Sequence, residues 1–64
     1  MIKQFDNVEV IVDKTFLSPK CTIKKGSTGT VTDVLKDNEG RIGYLVEINN
    51  RVYDFEENEI KTIN

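Results

Sequence analysis

Cys21 is the only cysteine among 64 residues, and histidine is absent. Histidine is the side chain most often recruited for acid–base catalysis near neutral pH and for zinc binding. Without it, Cys–His and Ser–His nucleophilic pairs are ruled out. Cys21 alone reads as a small buried or half-buried filler, not a nucleophile. Two charged clusters remain. Asp54, Glu56, Glu57 and Glu59 gather carboxylates densely enough for a hard cation or a basic partner. Their spacing does not follow the D-x-[DN]-x-[DN]-G of an EF-hand loop, and a solvated turn is the plainer reading. Lys14, Lys20, Lys24 and Lys25 make residues 14–25 basic, with Arg41 further on. Phosphate or an acidic protein would suit that cluster, and so would simple solubility. No catalytic residue, cofactor or metal is assigned, and the chain is expected not to be an enzyme.

Length and composition decide what can position these groups. A chain of 64 residues has room for one domain, spanning residues 1–64. A domain of this size buries only about 60% of the surface its unfolded chain exposes, which leaves little core to give up to a deep cavity. Alanine is absent, while Val, Ile and Thr are abundant, a bias toward strands over helices. The net charge of −2 and pI near 5.0 supply no global positive field for nucleic acid. They are also too mild for a DNA mimic. One cysteine allows no internal disulfide, which fits a reducing compartment. Lys3, Asp6 and Glu9 interrupt the N-terminal stretch, so it reads as neither signal peptide nor membrane span. A cytoplasmic location without membrane contact is expected.

The hydrophobic pattern predicts strands joined by turns. Residues 7–13 alternate, with Val8, Val10 and Val12 on one face. Residues 14–25 read as a long connection, because Pro19 bars a central strand. Gly26-Ser27-Thr28-Gly29 is a turn signal, and a strand follows through Leu35. Val31 and Val34 stand three apart instead of two, and a β-bulge near Thr32 or Asp33 is one cause. Residues 36–40 supply Asp, Asn and Gly for a hairpin loop. Residues 42–48 place Ile42, Tyr44, Val46 and Ile48 on one face. Asn49-Asn50 makes a tight turn, since Asn tolerates positive φ. Residues 51–55 form the next strand, residues 56–58 one helical turn, and residues 59–63 a closing strand. A C-terminal helix capped by Asp54 is the rival, but Phe55, Ile60 and Ile63 make a poor helical stripe.

The stretch Ile23-Lys24-Lys25-Gly26-Ser27-Thr28-Gly29-Thr30-Val31 carries an apolar residue, a basic pair and G-x-x-G-x-V. It resembles the KOW motif of ribosomal and transcription-elongation proteins and is similar to several small bacterial SH3-like families. Tyr44-Leu45-Val46-Glu47-Ile48, Val52-Tyr53-Asp54-Phe55 and Glu59-Ile60 extend the likeness to about residues 7–63. The resemblance implies a five-stranded SH3-like barrel with a long first loop and one helical turn before the last strand. Rolling the sheet into a barrel hides its edges. Gly26 and Gly29 would bracket a structural turn, either through positive φ or by letting another backbone pass closely. The likeness is poorer guidance to function, because the superfold hosts unrelated tasks. Tryptophan is absent, which argues against proline-rich peptide recognition. The KOW proteins that hold RNA tend to be basic, and this chain is not.

In the SH3-like order the basic connection and the late acidic turn lie on one side, where they can pair at about 0.2–1 kcal/mol per exposed pair. Ile11, Leu45 and Tyr53 are expected to point away from the core, either scattered or as one contact patch. Phe16 and Leu17 would join that patch or plug the barrel end. Three functions follow. The first is a non-enzymatic module that binds another protein or a second copy of itself. The second is a KOW-like RNA or ribosome contact through Lys20, Lys24, Lys25 and Arg41. The third is a small inhibitor or immunity-type protein of a phage or mobile element, suited by the size and the Lys, Ile and Asn bias.

Overall fold

The computed structural model describes residues 1–63. The fold is all-β. Strands β1 (Asn7–Val10), β2 (Lys14–Leu17), β3 (Lys20–Ile23), β4 (Thr28–Lys36), β5 (Ile42–Ile48) and β6 (Arg51–Glu56) precede a 3-10 turn, Glu57–Glu59, and strand β7 (Ile60–Thr62). Five strands form one antiparallel sheet in the order β6-β5-β4-β1-β7, and β2 and β3 pair as a separate hairpin. The C-terminal helix does not form. Among the described residues, β6 and β7 are the sheet's two edges and do not pair with each other.

Alternation accounts for the core. Val8, Val10, Val31, Val46, Tyr44, Phe55 and Ile60 are at most 3% exposed, with Ile23 and Ile48 beside them. Each such aliphatic side chain contributes roughly 1.5–3 kcal/mol by leaving water. The register shifts between Val31 and Asp33, so Thr32 is an extra residue in β4. The bulge brings Val31 opposite Val46 and Val34 opposite Tyr44, which puts both valines on the same side of the sheet despite their odd spacing, although only Val31 is buried and Val34 is exposed. Asn49 and Asn50 carry φ of 52° and 69°, the two positive values that a two-residue hairpin turn requires.

Three local expectations change. Val12 leaves the buried row: β1 stops at Val10, the Ile11 amide bonds to the Glu59 carbonyl at 2.9 Å, and Val12 is exposed. Residues 14–25 are no long loop but mainly the β2–β3 hairpin, with Phe16 opposite Cys21 and Lys14 opposite Ile23 on its inner side. Pro19 sits in the turn of that hairpin, after a cis Ser18–Pro19 bond, where no ladder hydrogen bond is lost. Ile2 joins the core although no strand contains it. A turn at residues 3–6 carries it inward. There the Lys3 amide donates to the Asp6 carboxylate at 2.9 Å, and Phe5 takes φ of 73°. That value is an outlier for a bulky residue; the Phe5 amide is held by the Val31 carbonyl at 2.7 Å.

The two bracketing glycines act differently. Gly26 has φ of 98° and open space around it, so it turns the chain. Gly29 has ordinary φ, but a Cβ there would meet the Glu47 carbonyl oxygen and come within 2.7 Å of Ile48 Cγ1. Its missing side chain lets β4 cross close to β5.

Candidate functional site

The hairpin leans against the edge strand β6 through its inner face. Phe16 packs on Tyr53 with ring centroids 5.2 Å apart and meets Phe55 edge-on at 5.8 Å. Cys21 Sγ lies 3.9 Å from the Tyr53 hydroxyl. That contact, together with burial, pushes the Tyr53 phenol above its ordinary value of 10.0.

At the base of the hairpin, Lys14 closes a polar knot. Its Nζ donates to the Asp54 carbonyl at 2.9 Å and to Glu59 Oε1 at 2.9 Å, and it lies 5.2 Å from the ring centres of both Phe16 and Phe55. Glu59 Oε1 also accepts the Glu56 amide at 2.8 Å, half of a capping box around the 3-10 turn. Burial alone would raise Glu59, but the Glu56 amide and the Lys14 ammonium outweigh it and hold the carboxyl below 4.5.

Beyond this knot a groove of about 420 Å³ opens between hairpin and sheet, lined by Phe16, Pro19, Cys21, Leu45, Val52 and Tyr53, with Arg51 and Asp54 at its sides. Three of the apolar candidates, Phe16, Leu45 and Tyr53, therefore share one surface. The other two do not line it: Ile11 is half-buried beside the 3-10 turn, and Leu17 projects from the hairpin at 82% exposure. Tyr53 does not point away from the core as expected. It stands opposite Val46, on the same face as Phe55, and packs against the core from the sheet's edge. Pro19, Arg51 and Val52 were not among the sequence candidates. The outward position of Val52 was readable from the alternation of residues 51–55, but its neighbour across the groove was not.

The basic candidates divide. Lys14 is not an open contact, since Glu59 and the Asp54 carbonyl hold it. Arg41 is chelated by Asp37 at 2.7 Å and Glu39 at 3.0 Å within the β4–β5 loop. The Arg41 amide and guanidinium in turn hold the Asp37 carboxyl below 3.8. Lys20, Lys24 and Lys25 stay exposed without an ion pair among the described residues. A second, wider cleft of about 680 Å³ lies between this loop and the 3-10 turn, with Leu35 and Ile42 against Asp37, Arg41, Glu56 and Glu57. No group of three or more Cys, Asp or Glu residues suited to a metal ion occurs among the described residues, and no helix there is long and apolar enough to cross a membrane. No family model, curated protein or solved structure matches the chain.

Proposed function

We propose that this chain is a non-enzymatic protein-interaction module built on a small SH3-like barrel. One observation carries the functional reading: the groove between the β2–β3 hairpin and β6 collects Phe16, Leu45, Val52 and Tyr53 on one accessible surface. Apolar clefts with a few polar groups at the margin are the usual form of a binding site. The barrel reading is supported by the strand order, with a hairpin inserted before β4 and a 3-10 turn before β7. A free cysteine fits a reducing, cytoplasmic setting. An inhibitor or immunity-type protein of bacterial or phage origin would act through the same kind of surface.

The experiment is affinity capture from untreated lysate of the expressing cells, with the wild-type chain and Val52→Asp as baits and both protein and nucleic acid identified in the eluates. A protein held by wild type and lost by V52D supports the reading; recovery of nucleic acid alone overturns it. The KOW-like alternative retains Lys20, Lys24 and Lys25 as its cations, while Lys14 and Arg41 are neutralised internally. It requires RNA binding that weakens steeply as salt rises, which titration of labelled RNA at two salt concentrations measures.

A further inference from the structure

The groove lies along the free backbone edge of β6, because residues from both faces of that strand line it: Val52 and Asp54 from one, Arg51 and Tyr53 from the other. The backbone polarity of the edge follows from the turn. In a two-residue hairpin the flanking pair, here Ile48 and Arg51, is hydrogen-bonded to itself. Residues 51, 53 and 55 therefore direct their amides and carbonyls toward β5, and residues 52, 54 and 56 direct theirs outward. Two side-chain bonds agree with this phase. The Glu56 amide is taken by Glu59, and the Asp54 carbonyl by Lys14.

The edge is thus capped at one end and open at the other. Among the described residues, the Val52 amide, the Val52 carbonyl and the Asp54 amide have no partner. An open edge normally is blunted by charge or covering, and here the covering stops halfway. The flanking charges are also open. Arg51 and Asp54 form no ion pair among the described residues, and they stand at opposite ends of the open segment.

We propose that the open half of β6 takes up one extended segment of a partner protein as an added strand, pairing with Val52 and Asp54. This rests on the interaction-module reading above and names its mode. Main-chain pairing supplies affinity, and alternate side chains supply specificity. The segment is apolar where it meets Phe16 and Val52, acidic near Arg51 and basic near Asp54, which sets its direction. A second copy of this chain fits less well, because its own hairpin flanks the edge it would offer.

The test begins with selection of a displayed random peptide library on the intact chain, followed by synthesis of the recovered peptide. Binding is then measured to wild type, Val52→Ala, Val52→Pro and Val52→Asp, with thermal melts confirming that each folds. V52A and V52P both lose the valine contact, but only V52P also loses the outward amide, which no bond inside the protein uses. The expected result is a charge-patterned peptide that V52P binds about tenfold more weakly than V52A does. Equal affinity of V52P and V52A, with loss in V52D, overturns strand addition while leaving the interaction module standing. No selectable peptide, together with RNA binding at low salt, overturns both. A concentration-dependent dimer abolished by V52P overturns the partner segment in favour of self-pairing.

Discussion

The two edges of the sheet are protected in different ways. β7 is three residues long, Ile60–Thr62, with Lys61 set against Glu9 at 3.8 Å. Shortness and charge leave it little to offer another chain. β6 is six residues long, and its protection is borrowed from elsewhere. Lys14 arrives from 40 residues away to take the Asp54 carbonyl, and Glu59 takes the Glu56 amide. The rest of that edge faces the groove. A strand protected by its own brevity is closed in any context. A strand protected by distant side chains is closed only where those side chains reach, and the binding surface begins where they stop.

The largest expected effects come from removing what anchors each edge. Phe55→Ala should destabilise by about 3–5 kcal/mol, comparable to the whole stability of so small a domain. Ile60→Ala at the shorter edge should cost about 2–5 kcal/mol. Urea unfolding of both would break the comparison if β7 proved the costlier edge to loosen. Lys14→Met comes next, at about 1–3 kcal/mol near pH 7, since it removes charge-assisted bonds to Glu59 and Asp54.

The pH dependence sharpens the same point. Glu59 has a folded-state value below its ordinary 4.5. Its contribution is therefore present above that pH and is lost as pH falls through the lowered folded value. Wild-type stability should decline below pH 4.5, and the decline should be shallower in K14M, as thermal melts across pH 2.5–6 would register. Asn50→Gly should raise stability by roughly a few tenths of a kcal/mol, because glycine adopts the positive φ of that turn without strain, offset by its greater freedom when unfolded. Tyr53→Phe should change the melting temperature least. It deletes only a hydroxyl whose contact with Cys21 is 3.9 Å long, and it keeps the ring against Phe16.

The hairpin shows why part of the site was illegible. Pro19 correctly barred a central strand, yet the same residue sits comfortably in a hairpin turn, so its presence could not distinguish a loop from two short strands. Tyr53 shows a second limit. Alternation with Phe55 puts it on the inner face of β6, but the ring that covers it there, Phe16, comes from a hairpin distant in sequence. Phe16 and Leu45 reached a common groove only because β2 and β5 meet in space.

Local rules were enough for much of the rest. Alternating β-branched residues set the buried rows of β1 and β5, and Asn-Asn and Asp-Asn-Glu-Gly set the turns. The odd spacing of Val31 and Val34 marked the bulge, since each of these depends on residues only a few positions apart. Tertiary structure alone decided the fate of Lys14, the packing of Phe16 on Tyr53 and the half-open edge of β6. Those depend on hydrogen bonds and ring contacts between residues tens of positions apart, which no local pattern of side chains encodes.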